Sequence, residues 1–123
     1  MSNVIELAKR RRHDRFEVQG SAFVVYNANK LGRVVDISMN GLSFNHVEND
    51  RSPGELRELD IFLIDSDFYL ENVPIETSSI VKTYQPNFSS IYLGRYSVQF
   101  GKLTKNQRSQ LAFLIRNHTT QGA

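Results

Sequence analysis

A chain of 123 residues, 40% hydrophobic and 23% charged, has the size and balance of one globular domain around one core, which excludes a disordered polymer. It has no cysteine, so disulfides, thiolate metal sites and cysteine nucleophiles are excluded, and no apolar run approaches the roughly 20 residues that cross a bilayer. The net charge of +2 is unevenly placed: Lys9 to Arg15 carries +4 and the rest of the chain −2, a concentration suited to a small anion or a phosphate.

Residues 1–9 hold too little apolar material to pack alone and are expected to form a flexible lead-in. They lack a basic start followed by a long apolar stretch, so no secretory signal is read and a cytoplasmic location is expected. From Glu17 the pattern becomes β-like. Ser21–Tyr26 is β-branched and aromatic, Asn27–Lys30 supplies turn residues, and Leu31–Ile37 returns as the second arm of a hairpin. A turn at Met39-Asn40-Gly41 leads into Leu42–Asn45, which alternates apolar and polar as a strand with one wet face does. Pro53-Gly54 marks a loop, and Leu59–Ile64 is a short apolar run that reads as an interior strand. Asp65-Ser66-Asp67 could suggest calcium ligands, but with no following glycine and distal glutamate it reads as a turn. Ile75–Tyr84 and Ile91–Phe100 add two longer strands about a turn at Gln85-Pro86-Asn87. The aromatic residues, among them Phe23, Tyr26, Phe44, Phe62, Tyr69, Tyr96 and Phe100, are assigned mostly to the core.

The one helix comes last. Thr104-Lys105-Asn106-Gln107 is a capping-box signature, and Leu111, Leu114, Ile115 and His118 follow helical spacing. Evenly spaced strands without intervening helices give an all-β class with a C-terminal helix, built as an antiparallel barrel or sandwich.

Two short motifs carry the chemistry. In Lys9-Arg10-Arg11-Arg12-His13-Asp14-Arg15, the guanidinium groups of Arg11 and Arg15 lie four residues apart. Each can fork onto a phosphate or onto the N7 and O6 acceptors of guanine, although such a run taken alone is most often a solvated arm. In Asp36-Ile37-Ser38-Met39-Asn40-Gly41, Asp36 offers an acceptor for the N–H groups of guanine's pairing edge. Ser38 can bond a phosphate oxygen or fix the loop, and Gly41 can take a positive φ or let backbone approach a ligand. Taken alone this segment is an ordinary turn.

An RxxxR motif at Arg11 and Arg15, followed about twenty residues later by a (D/N)xSxxG motif at Asp36, Ser38 and Gly41, resembles the PilZ domain family of receptors for the bacterial second messenger cyclic di-GMP. The resemblance extends over residues 10–118, with residues 119–123 as a C-terminal tail. It implies a six-stranded antiparallel β-barrel with a helix near its end, and Arg95–Phe100 looks like the family's closing strand. It further implies that Arg11 and Arg15 hold phosphate and guanine acceptors while Asp36, Ser38 and Gly41 clasp the other side of the ligand. Arg10, which precedes the motif, stands where the family's choice between one ligand and a stacked pair is associated with this residue. Asn40 stands where many members carry a second glycine.

No catalytic step is implied, and the sequence offers none independently. His13, His46 and His118 are scattered, no HExxH spacing accompanies them, and phosphate-cradling glycine loops are absent, so neither a metal nor a cofactor is expected. The expected function is a cyclic di-GMP receptor or adaptor that changes conformation on binding and signals to an unidentified downstream protein. A homodimer is compatible with this reading, whereas a nucleic-acid polymer is not the expected partner. The alternatives are a barrel that binds nucleic acid through the basic arm and a PilZ-type adaptor that acts without ligand.

Overall fold

The computed structural model describes residues 16–18, 22–27, 29–48, 55–84 and 92–121. Its strands are β1 (Phe16–Val18), β2 (Ala22–Tyr26), β3 (Lys30–Ile37), β4 (Gly41–Glu48), β5 (Glu58–Leu63), β6 (Tyr69–Tyr84), β7 (Tyr92–Phe100) and β8 (Thr119–Gln121), with helix α1 (Lys105–His118) before the last. The order β2-β5-β6-β7-β4-β3 closes through a β2–β3 pairing, so six antiparallel strands form a barrel, as the family resemblance implies. β1 continues along the same edge of β3 that β2 occupies, and β8 pairs with β1. Thr119–Gln121 therefore extends the sheet instead of trailing as part of a tail.

Alternation builds the core. Ala22, Val24 and Tyr26 point inward from β2, Leu42 and Phe44 from β4, and Leu59, Ile61 and Leu63 from β5, all buried. Each such large side chain contributes about 1.5–3 kcal/mol by leaving water. His46, also inward on β4, is hydrogen-bonded through Nδ1 to the Tyr26 hydroxyl and packs edge-on against Tyr96, so it is a core residue. Asn27 (φ 48°) makes the β2–β3 turn, a left-handed conformation that asparagine tolerates.

The aromatic assignment holds only in part. Tyr26, Phe44, Tyr96 and Phe100 are buried, whereas Phe23 and Phe62 are half-buried and Tyr69 is 51% exposed. Tyr84 and Tyr92 lie outside the side chains described. β6 also begins six residues before the expected Ile75. The physical reason is a break in alternation at Asn72 (φ 57°), with a bulge opposite Leu59–Ile61, which hides a strand from period-two reading.

Helix α1 covers the barrel end formed by β1, β8 and the start of β6. Thr104 accepts from the Gln107 amide at 3.0 Å, and Gln107 Oε1 accepts from the Thr104 amide at 2.9 Å, completing the expected capping box. The same Gln107 donates through Nε2 to the Asn72 carbonyl at 2.9 Å, so the cap also docks the helix on β6. Leu111 and Leu114 bury the inner face. Among the described residues no helix is long and apolar enough to cross a membrane.

Candidate functional site

The bend between β3 and β4 is built by Ser38. Its amide donates to the Gly41 carbonyl at 2.8 Å, while its hydroxyl oxygen accepts from the amides of Asn40 at 3.1 Å and Gly41 at 3.3 Å. Ser38 is 2% exposed, so of the two roles open to it the one seen is fixing the loop. The Asn40 carbonyl accepts from the Phe100 amide at 2.8 Å and ties the bend to the end of β7. Ser38→Ala removes an acceptor from two amides in a part-buried turn and is expected to cost about 1–2 kcal/mol, measurable by chemical denaturation.

Glycine is required here for a reason the sequence does not display. Neither Asn40 nor Gly41 adopts the left-handed conformation that favours glycine. A Cβ on Gly41 would instead stand 2.1 Å from the Val98 carbonyl oxygen, because β4 and β7 pair there, Gly41 against Gln99. The positive-φ role expected of Gly41 is thus replaced by close approach of two backbones.

A bulge between Val34 and Asp36 sets the direction of the carboxylate. Gly32 and Val34 face the core, so unbroken alternation would turn Asp36 inward; the extra residue shifts the phase, and Ile37 takes the core position instead. Asp36 then lies beside Ser43, whose hydroxyl donates to its Oδ1 at 2.8 Å. The register lines up Glu17, Asp36, Ser43, Ser97 and Ser79 across five strands. This row of polar side chains, with Glu17 exposed at one end and Ser43 only 4% exposed, forms a floor flanked one step along the strands by Arg33, Asn45 and Arg95. Ser43 and the row it belongs to escaped sequence reasoning. The only signal was the alternation of Leu42-Ser43-Phe44-Asn45, which marks Ser43 as outward without saying what it faces.

Arg10, Arg11 and Arg15 lie outside the described residues. What is described is the strand that follows them: Phe16 pairs with Ile37 and Glu17 with Asp36. The first described strand therefore joins the barrel beside the bend carrying the second motif. A cleft of about 440 Å³ among Val25, Asn27, Glu55 and Asn72 lies toward the opposite end of β3 and does not include Asp36, Ser38 or Gly41. Among the described residues no cluster of histidine and carboxylate side chains is arranged to hold a metal ion.

The described architecture is a closed six-stranded antiparallel barrel with a helix over one end and an acidic bend beside its first described strand. The PilZ domain family model matches residues 9–117, and the chain belongs to that family. Among solved structures it is similar to the PilZ domain of YcgR from Escherichia coli, determined with c-di-GMP, at 18% identity and a TM-score of 0.62 over 89% of this chain and 91% of that one. It is also similar to Escherichia coli YcgR in complex with c-di-GMP (16% identity, TM-score 0.60, 87% of this chain and 45% of that one). A third match is MrkH, described as a c-di-GMP-dependent transcription regulatory factor (16% identity, TM-score 0.57, 88% and 50%). A search of curated proteins found no significant match.

Proposed function

We propose that the chain is a cyclic di-GMP receptor in which residues 10–118 form the binding domain and the arginine segment closes over the floor beside Asp36. The observation that carries this reading is the pairing of Phe16 with Ile37. Arg15 is one peptide unit from Phe16, about 3.8 Å between Cα atoms, and Arg11 is at most about 14 Å further along the chain. Both guanidinium groups are thereby within reach of a dinucleotide lying on the Asp36–Ser43 row. Family membership and the c-di-GMP held by the YcgR structures support the same assignment.

In this reading Asp36 accepts from the guanine pairing edge, Ser38 and Gly41 hold the bend that presents it, and Arg11 and Arg15 neutralise the phosphates and fork onto guanine acceptors. Arg10 stacks on a second guanine when a ligand pair is bound. The role is binding, with no catalytic step. Closure of the arm is the conformational change, and the altered surface is what a downstream protein reads. Ordering the arm costs about 1–2 kcal/mol per residue in backbone entropy, so several charge-assisted contacts must form together.

The test is calorimetric titration with cyclic di-GMP and, in parallel, cyclic di-AMP. Preference for the guanine ligand is expected, with one or two ligands per chain giving the stoichiometry. Asp36→Ala is expected to weaken binding by roughly 10–100-fold, the equivalent of a lost base-edge contact. Equal affinity for both dinucleotides, or an unaffected Asp36→Ala variant, would sink the assignment.

A further inference from the structure

The carboxylate at the centre of the receptor reading is held by a residue that neither sequence motif contains. Ser43 stands directly opposite Asp36 across the β3–β4 pair, and its hydroxyl donates to Asp36 Oδ1 at 2.8 Å. β4 is paired on both sides at this point, Ser43 lying against Asp36 of β3 and Ser97 of β7. The donor is therefore mounted on a strand fixed by two neighbours. Asp36 itself follows the bulge after Val34, where the alternation that would set its direction is interrupted.

Burial separates the roles open to the two side chains. Ser43 is in the outward phase of β4, between the inward Leu42 and Phe44, yet it is only 4% exposed, whereas Asp36 is half-buried. A hydroxyl so buried needs a hydrogen-bond partner, and the carboxylate is one. A ligand that reaches Asp36 does not have to touch Ser43, so any effect of Ser43 on binding travels through the carboxylate. An aspartate released from such a bond turns about two side-chain torsions, and freezing it again when a ligand arrives costs affinity. With Oδ1 already held, the carboxylate meets the ligand in one orientation.

We propose that Ser43 is a positioning residue for guanine recognition, acting through Asp36 to keep its carboxylate aimed at the N–H groups of the pairing edge. The inference rests on the receptor reading and adds to it that base preference depends on a residue outside the (D/N)xSxxG motif. Guanine offers adjacent N–H donors on that edge, whereas adenine sets a donor beside an acceptor, so an aimed carboxylate favours guanine.

A double-mutant cycle read by calorimetry tests this, with the parent, Ser43→Ala, Asp36→Ala and the double variant each titrated with cyclic di-GMP and cyclic di-AMP. Ser43→Ala is expected to bind cyclic di-GMP about 3–10-fold more weakly, the cost of freezing one released side chain. Its affinity for cyclic di-AMP should change less than about twofold, so the preference for guanine narrows. In the Asp36→Ala background the same substitution should also change cyclic di-GMP affinity by less than about twofold, because no carboxylate is left to position. Ser43→Cys, close in shape with only a weak donor, should lose affinity in the same direction. Thermal melts serve as the control, and both variants should stay folded because the inward Leu42 and Phe44 are untouched. Ser43 variants that bind as the parent does, or a loss of equal size with and without the Asp36 carboxylate, would overturn the inference. The receptor reading would then still stand, since Asp36→Ala reports on it separately. A parent that binds no cyclic di-GMP would overturn both.

Discussion

Replacing Arg11 or Arg15 with alanine is expected to abolish measurable cyclic di-GMP binding while the barrel stays folded. Neither residue lies among the described residues, and the described core is assembled from residues 22 to 114. The ligand, by contrast, carries two phosphates and two guanines, and each lost fork removes a charge-assisted bidentate contact of about 1–3 kcal/mol. Its loss also removes much of what offsets the ordering of the arm. In the proposed receptor the two arginines act as a unit, because closure of the arm would bring both to the ligand or neither, so each single substitution should cost nearly as much as the pair. Arg15→Lys separates charge from shape. An ammonium keeps the charge and loses the planar fork, so binding should fall at least tenfold, or about 1.4 kcal/mol. Calorimetry of the three variants checks this, with thermal melts as the control for folding. Near-normal affinity of Arg15→Lys would mean that simple charge suffices.

The extent to which these features were legible in the sequence follows from the length scale of each signal. Strands of five to nine residues rich in β-branched, aromatic or other apolar residues, such as Ala22–Tyr26 and Glu58–Leu63, announce themselves within a residue or two. The helix does so as well, because its capping box is local: Thr104 and Gln107 are three residues apart and bond each other directly. β1 and β8, three residues each, are too short to show any period and exist because β8 pairs with β1 and β1 with β3. The first half of β6 was hidden by Asn72 and Pro74, residues that read as punctuation when they stand in a bulged strand.

The candidate site divides along the same line. Asp36, Ser38 and Gly41 were legible as a motif because they fall within six residues. What each does physically was not. Ser38 and Gly41 are accounted for by the bend itself, one through hydrogen bonds and the other through contact with β7. Their presence is therefore weak support for a ligand, and the weight falls on Asp36, which a bulge turns outward toward Ser43, and on the arginines. A bulge is one extra residue opposite a partner strand, so it cannot be seen until the partner is known. The register of β1 is likewise a long-range fact: it joins residues about twenty apart, Phe16 to Ile37 and Glu17 to Asp36.

Gly41→Ala offers the sharpest separation between building the bend and contacting the ligand. A methyl group at this position would stand 2.1 Å from the Val98 carbonyl oxygen, where the obstacle is backbone of a paired central strand and not the end of a flexible side chain. Relief requires β4 and β7 to move apart at the point where the Asn40 carbonyl accepts from the Phe100 amide, so that bond is strained as well. Ordinary overpacking costs about 1–3 kcal/mol; with backbone on both sides a loss above roughly 3 kcal/mol is expected, against a typical domain stability of about 5–15 kcal/mol. For a chain of this length that corresponds to a fall of roughly 10–15 °C in Tm. Ligand binding should then decline in step with folding, and saturating cyclic di-GMP should recover part of the Tm by mass action if Asp36 and the arginines still reach the ligand. A Gly41→Ala protein that melts like the parent yet fails to bind would reverse the assignment, making the absent side chain a requirement of the ligand and not of the strands.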